Sequence, residues 1–566
     1  MSPTLIELNP NRLLLDPNFD GYKLSLQDIP KKRKELTNSV DRVLLNTHQY
    51  SLLHANLYGL HNHLVGDPYD DSTSDSVYYI DSELNICKLY VDPFNDEIIE
   101  PIELLRLPRN RDRTTGDYNV SLKFVSSDLA VAGDGTGWFY IIDTGSRNDD
   151  DNFSICFSDE VAGQDEPFLL LDAVLKGNVE LHVLALSLKQ EDKNERYYNV
   201  VHWITFSKEQ DSWGQTALRR VRNNGCIKYC YLEKNCDSIY IVSDENSVFT
   251  LNSDVPIVDT PSKVEAKIYK WSQGIEDVTI KIPLPDNPMK QRVKVETTTS
   301  NILVKYEENT LISGDLSSSI DSDVTVWSLE GNVLEITLNK TETGNIWPEL
   351  IKNDTTGEYI LETCIVEDVN KLSNFTSANE EIPQTGTTFN SQQVEECDFE
   401  IDKTIAFERL CGHTNTPTHR INLGCHHVSV IGCITDGSPP AIGIRHDVDV
   451  CLWQPRIDGE QFSIKHEGTL LALGYVQASK QNRKFTACPP NLSYAVICES
   501  TGHLFIYRQN KSVANTELRN RSSGRRVNSI AQQQVVRLAQ EEVLGIYPAN
   551  NHLFLLHEKS LTILQL

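Results

Sequence analysis

Leu129-Ala130-Val131-Ala132-Gly133-Asp134-Gly135-Thr136-Gly137-Trp138-Phe139-Tyr140-Ile141-Ile142 sets two short apolar runs, Leu129 to Val131 and Trp138 to Ile142, on either side of a glycine-rich stretch. Glycine reaches positive φ without a Cβ clash, so Gly133 to Gly137 predicts a tight hairpin turn. Its spacing fits neither the dinucleotide nor the P-loop fingerprint, and a strand rather than a helix follows it. The same unit recurs along the chain. Upstream and downstream stand Val77 to Ile80 with Ile86 to Val91, Leu181 to Leu188 with Tyr197 to Phe206, and Ile239 to Val242 with Val248 to Leu251. After residue 420 come His427 to Ile431 with Ala441 to Ile444, Tyr494 to Ile497 with Leu504 to Tyr507, and Leu553 to Leu556 with Leu561 to Leu564. The pairs start at 77, 129, 181, 239, 427, 494 and 553, in steps of 52, 52, 58, 188, 67 and 59. One four-stranded propeller blade takes roughly 40–50 residues, and longer loops account for the excess. The fold class predicted is all-β: a seven-bladed β-propeller formed by two chain segments, with an insertion between the fourth and fifth repeats. Propellers join their ends by pairing terminal strands, so Leu561 to Leu566 is expected to close the ring.

The insertion has two compositions. Ala266 to Trp271, Asp277 to Ile282, Arg292 to Thr297, Asn301 to Tyr306, Asp323 to Ser328 and Val333 to Asn339 alternate apolar and polar residues over short runs, the pattern of a compact antiparallel β-sandwich. From about Glu367 to Glu400 the chain is rich in Ser, Thr, Asn, Gln and Glu with almost no aromatic residue, and it lacks the apolar surface to offset its ordering entropy. The organisation read from this is propeller over 1–262, sandwich over 263–353, polar flexible linker over 354–400, and propeller again over 401–566.

Of 566 residues, 39% are hydrophobic and 23% charged, a balance that suits a folded chain. Eighty acidic residues against 52 basic ones give a net charge of −28, which argues against general nucleic-acid binding and against anionic membranes. No apolar run approaches the 18 or so residues of a membrane span, and the N-terminus lacks the charged and apolar regions of a signal peptide. Thirteen cysteines, an odd number scattered without paired spacing, suit a reducing compartment. The expected location is therefore the cytoplasm, with the nucleus as an addition, since Pro30-Lys31-Lys32-Arg33-Lys34 is a basic run of the kind import receptors read. A solvated turn explains that run equally well.

Within the sandwich, Tyr269-Lys270-Trp271-Ser272-Gln273 is followed by Glu276-Asp277-Val278-Thr279-Ile280-Lys281-Ile282-Pro283-Leu284. Then come Gly314-Asp315-Leu316, Val326-Trp327-Ser328-Leu329, Leu334 to Lys340 and Trp347-Pro348-Glu349-Leu350. These six segments in this order resemble the CS domain of the NudC family. Blocks outside the domain are similar to that family too: Leu14 to Leu26, Arg445-His446-Asp447-Val448-Asp449, and Ala472 to Lys480. The resemblance implies a protein-binding, chaperone-like role, with clients that are often β-propeller proteins and a link to heat-shock protein 90. Two departures stand out. The Trp-Trp pair of many relatives reads Ile346-Trp347 here, and no heptad pattern corresponds to the founding member's dimerising coiled coil, so a monomer is expected.

The candidate client-binding residues are Trp271, Gln273, Lys281, Trp327 and Trp347. A large aromatic on a strand most often fills the core; the functional reading makes part of this set a half-exposed anchor, as interface hot spots favour Trp. The preferred patch is Trp271, Gln273 and Lys281, because the strand that opens a sandwich often lies near an edge able to receive an extended peptide. Lys270, Lys281 and Lys340 could pair with an acidic partner or simply face solvent. Cys411, His413, His419, Cys425, His426 and His427 are the densest set of metal-ligand types, but none of their spacings matches a zinc knuckle. Cys226, Cys230 and Cys236 would be scattered across two strand faces. Arg445-His446-Asp447 lacks a placed nucleophile and reads as a loop network. Arg519, Arg521, Arg525 and Arg526 sit in a Ser/Asn-rich loop. No catalytic residue, cofactor or metal is assigned. The function expected is a non-enzymatic co-chaperone or adaptor. The rivals are a propeller scaffold in a nuclear RNA-processing or vesicle-transport assembly and, with no site to support it, a propeller-type hydrolase.

Overall fold

The computed structural model describes residues 3–45, 51–69, 75–92, 94, 97–147, 153–191, 196–210, 212–257, 268–274, 276–285, 288–342, 347, 349–352, 354, 356–359, 405–424, 426–459, 461–500, 502–512, 529–538 and 541–566. The linker read over Glu367 to Glu400, Cys425, Ile346 and the four arginines of 519–526 lie outside them. Contacts divide the chain into two compact units: Met1–Leu8, Val258–Glu408 and Pro417–His426 form one, and Asn9–Ile257, Arg409–Thr416 and His427–Leu566 the other. Among the described residues no helix is long and apolar enough to cross a membrane.

Seven sheets follow one another as blades. Blade one is Val65–Gly66, Ser76–Ile80, Asn85–Tyr90 and Ile102–Arg106; blade two is Ser121–Phe124, Leu129–Gly133, Trp138–Asp143 and Ser154–Glu160. Blade three takes Leu169–Lys176, Glu180–Gln190, Tyr197–Glu209 and Ser212–Asn223. Blade four starts with Tyr229–Leu232 and Ser238–Ser243 and is continued by Ile405–Cys411 and Thr416–Gly424, with Thr4–Leu5 last in its order. Val428–Gly432, Ala441–His446, Asp449–Asp458 and Gln461–Leu470 make blade five. Blade six is Arg483–Ala487, Tyr494–Glu499, His503–Ser512 and Ser529–Arg537, and blade seven Gly545–Pro548, His552–Leu556 and Ser560–Gln565.

Each blade buries its apolar faces against its neighbours. Tyr78 and Ile86 of blade one pack with Leu122 and Tyr140 of blade two; Phe139 of blade two stacks on Phe206 of blade three at 5.0 Å. Leu184 and Trp203 of blade three pack with Ile239 and Ile241 of blade four. Tyr240 of blade four meets Phe462 of blade five at 5.5 Å, and Tyr229 donates to Pro440 O at 2.7 Å. Leu452 of blade five packs with Ile497 of blade six, Val496 of six with Leu555 of seven, and Phe554 of seven with Val77 of one. Packing thus returns to its start, and every fully buried Leu, Ile or Phe in it contributes about 1.5–3 kcal/mol.

Closure depends on the basic run. Lys31–Glu35 pairs antiparallel with Ser560–Gln565 over five registered residues, Lys31 opposite Leu564 and Glu35 opposite Ser560. The terminal strand closes the ring, as expected, and its partner is the stretch read as a turn or import signal. Lysines on an outer edge strand discourage pairing with other chains. The hairpin at Gly133 to Gly137 also forms as read: a Cβ on Gly135, at φ +77°, would lie 2.0 Å from Tyr118 O, and Asp134 Oδ1 accepts the Thr136 and Trp138 N–H groups.

Two readings are corrected. Ile239 to Val242 and Val248 to Leu251 are not a hairpin: Ser238–Ser243 pairs with Tyr229–Leu232, whereas Ser247–Asn252 pairs with Ser212–Asn223 at the edge of blade three. Asn223 holds that crossing, its Nδ2 donating to Glu245 O at 2.8 Å and to Ser247 Oγ at 3.0 Å. The insertion therefore falls inside blade four, after its second strand, and not between the fourth and fifth repeats. The return is pinned by a buried bidentate pair, Arg409 with Glu233 at 2.7 Å, and by Asn252, whose amide donates to Gly412 O at 2.8 Å and Asn415 Oδ1 at 2.6 Å.

The sandwich has a five-stranded sheet in the order Ile320–Glu330, Val333–Lys340, Asp277–Pro283, Tyr269–Gln273, Gly357–Tyr359, and a three-stranded one of Val293–Thr297, Asn301–Tyr306 and Asn309–Asp315. Asn309–Asp315 was not foreseen, and Gly357–Tyr359 comes from the stretch assigned to the linker. Val278, Ile280, Ile282, Ile302, Val304, Leu334, Ile336 and Leu338 alternate inward to form its core.

Candidate functional site

The motif residues of the sandwich fall into an interior group and an edge group. Tyr269–Gln273 is not an edge, because Asp277–Pro283 flanks it on one side and Gly357–Tyr359, running parallel, on the other. Trp271 is accordingly core: it is 4% exposed and its ring meets Tyr359 at 4.6 Å. Trp347, 1% exposed, belongs to the same core. Both positions take the core-filling reading.

Gln273 is a polar clamp in this interior. Its Nε2 donates to Trp347 O at 2.9 Å and its Oε1 accepts the Trp347 N–H at 2.8 Å, so one side chain pairs with the loop as a neighbouring strand would. Lys340 Nζ donates to the same Oε1 and to Gly274 O, both at 2.9 Å. Burial pulls the Lys340 ammonium down to about 8, partly countered by Asp277. Tyr269 donates to Asp354 Oδ2 at 2.6 Å, tying the loop after Trp347 to the same strand. Lys281 stands opposite Glu335 and pairs with it at 3.6 Å; Lys270 does the same with Glu358. Such half-exposed pairs contribute at most about 1 kcal/mol.

The edge group lies on Ile320–Glu330, at the end of the sheet order. Its register with Val333–Lys340 breaks between Asp321 and Val326. Thr325 Oγ1, shielded there, has no hydrogen-bond partner. From within the break onward the strand alternates: Val324, inside it, and Val326, at its end, point outward at 45% and 65% exposure, while Trp327 and Leu329 lean on the core. Lys290 Nζ sits 5.1 Å from the Trp327 ring centroid, a cation–π contact. Trp327 is thus the half-exposed member of the aromatic set. Val324 and Val326 were not singled out from the sequence, although apolar residues on both faces of one strand are a readable sign of an outward apolar face.

Elsewhere, Arg445-His446-Asp447 forms a turn in which Arg445 Nε donates to Asp447 O at 2.8 Å. His413 faces Asp237 at 3.6 Å, and among the described residues no three metal-ligating side chains converge. A Ser–His–Glu grouping occurs in blade three, with Ser187 Oγ and Glu166 Oε1 both approaching His202 Nε2, at 2.8 and 3.3 Å. A nucleophilic relay needs its base and its orienting acid on opposite ring nitrogens. Here His202 Nδ1 is unpaired and buried, and burial lowers the imidazole's affinity for a second proton, so the grouping reads as an internal hydrogen-bond network.

The CS domain family model matches residues 267–340. NudC domain-containing protein 1 of Mus musculus is 32% identical over 99% of this chain and 98% of its own length, and that of Xenopus laevis is likewise 32% identical over 99% and 98%. NudC domain-containing protein 3 of Homo sapiens is 31% identical over 20% of this chain and 31% of its own. Relatives more than 30% identical over nearly the full length of both chains, together with the CS match, show that the chain belongs to the family of NudC domain-containing protein 1.

Proposed function

We propose that this protein is a non-enzymatic co-chaperone or adaptor whose sandwich grips an extended segment of a client along Ile320–Glu330. The observation that carries this reading is that edge: a strand at the end of its sheet, with Val324 and Val326 outward and Trp327 half-exposed beside Lys290. Strand addition gives affinity through backbone hydrogen bonds, and alternate side chains give selectivity. Clients caught before their own sheets close offer such segments, which suits propeller proteins during folding. The protein works as a monomer with the heat-shock protein 90 system, in the cytoplasm and also the nucleus, without metal or cofactor. The large net negative charge supports solubility while unfolded chains are held.

The closed ring favours a second reading, a docking scaffold in a nuclear RNA-processing or vesicle-transport assembly. Thermal aggregation of a purified WD40 propeller, followed by light scattering with and without the full chain, separates the two. The first reading predicts suppression at equimolar ratio that Val326→Asp with Trp327→Ala abolishes. Suppression unaffected by both changes removes the edge, and no suppression at all leaves the scaffold.

A further inference from the structure

The N-terminal segment ahead of the closing strand runs along the outer edge of blade six. Lys23–Leu24 pairs in parallel with Ser529–Arg537, Lys23 opposite Gln532 and Leu24 opposite Gln533, and the Ser25 N–H donates to Gln533 O at 2.8 Å. Two registered residues make a weak strand. The anchor is Tyr22, whose ring lies 5.0 Å from that of Tyr507, with Phe19 edge-on at 5.2 Å. The Tyr22 hydroxyl donates to Leu471 O and accepts from Gln509 Nε2 at 2.8 Å, while Gln509 Oε1 accepts the Leu471 N–H at 3.0 Å. Two further amides hold the segment at its ends: Asn510 Nδ2 donates to Asp16 Oδ2 at 3.3 Å and Gln534 Nε2 to Gln27 O at 3.1 Å.

This is the anatomy of a bound linear peptide: an aromatic in a polar-floored socket, a short added strand, and side-chain amides reading the flanks. The cis segment fills the site incompletely, since Leu24 and Leu26 remain 66% and 87% exposed. If it leaves, Leu471 O and Gln509 Nε2 each lose a partner, which favours refilling. We propose that the outer edge of blade six is a peptide-binding site, held shut by residues 16–27, whose ligand in trans is an extended protein segment with a carboxylate ahead of a tyrosine that leads into a short strand. The carboxylate and tyrosine requirements come from Asp16 on Asn510 and Tyr22 on Gln509. Short tethers give effective concentrations near the millimolar range, so the resident segment outcompetes a weak trans ligand until it is released.

A fluorescent peptide spanning residues 16–27 is the probe, titrated against the full chain and against its Tyr22→Ala variant. The variant is expected to bind the peptide at least tenfold more tightly than the unaltered chain, and a peptide carrying Tyr22→Ala is expected to bind neither. Adding Gln509→Ala to the variant should weaken peptide binding about tenfold. Amide exchange at Ala531 to Gln534 should quicken in the Tyr22→Ala chain, reporting release. A chain beginning at Asp28 serves as a second acceptor if the variant folds poorly. Equal or absent peptide binding in the unaltered, Tyr22→Ala and shortened chains overturns the site, and unchanged exchange at Ala531 to Gln534 overturns the latch.

Discussion

The interior of the sandwich and its outer edge carry tryptophans from one and the same set of motif segments, and they use them differently. Trp271 and Trp347 are sealed in the core and joined through Gln273, which bonds both main-chain groups of Trp347 and the Lys340 ammonium. Trp327 leans on that core from a strand at the sheet's end, beside a register break and two outward valines. The difference teaches that a motif residue can be recognisable because it fills a core, without being exposed to any partner. Large residues that must fit a closed core tolerate little change, whereas an edge keeps its exposed apolar groups for a partner to bury.

The contrast breaks most sharply at Trp271. Trp271→Ala should cost about 3–5 kcal/mol of sandwich stability, seen as amide exchange that accelerates across Asp277–Pro283 and Val333–Lys340 while blade two, Leu129–Gly133 included, stays protected. Exchange limited to the strand carrying the substitution would show that the core closes around the loss. Gln273→Ala comes next, at about 2–3 kcal/mol, because it strands buried groups of Trp347 and Lys340 together; Gln273→Glu should recover part of this by pairing with Lys340. Trp327→Ala should cost only about 1 kcal/mol, and a larger loss measured by urea unfolding would make the edge tryptophan a core residue.

Proton linkage sharpens the same comparison at smaller scale. Lys340 has its folded-state value drawn from 10.5 down to about 8, so between these values the unfolded chain holds more protons and sandwich stability rises with pH, by about 1–3 kcal/mol. In the ring, the Glu166 carboxyl is lowered from 4.5 to about 2; its burial, which acts upward, is outweighed by hydrogen bonds from His202 and Lys189. That stability is present above 4.5 and is lost as pH falls toward 2. Region-resolved exchange should therefore show the sandwich firming in mild alkali and blade three loosening in acid. A Lys340→Met chain that keeps the alkaline rise would assign it to another group.

Much of the ring was legible because a turn such as Gly133 to Gly137 demands glycine and its flanks alternate visibly. Blade four misled because Ser238–Ser243 and Ser247–Asn252 are both apolar and four residues apart, yet Asn223 steers the second into the preceding sheet, a choice made by a side chain distant in sequence. The fifth repeat was read one strand early: His427 to Ile431 is the first strand of its blade and Ala441–His446 the second, and starting the hairpin at Ala441 brings its step to the sixth into line. Lys31–Glu35 carries no apolar pattern, since it packs through backbone pairing at an edge, so its part in closure could be found only from its partner. In the sandwich the tryptophans were visible but not their burial, which depends on Gly357–Tyr359 arriving from a polar stretch to cover Trp271.

Val326→Asp in the full chain is the most direct test of the division between interior and edge, with melting temperature and affinity for an unfolded propeller client measured on the same preparation. A residue already 65% exposed can accept a carboxylate with little structural cost, so the melting temperature should move by no more than about 2 °C while client affinity falls at least about tenfold. A chain that melts much earlier, or one that melts normally and holds its client as tightly as before, would contradict the account.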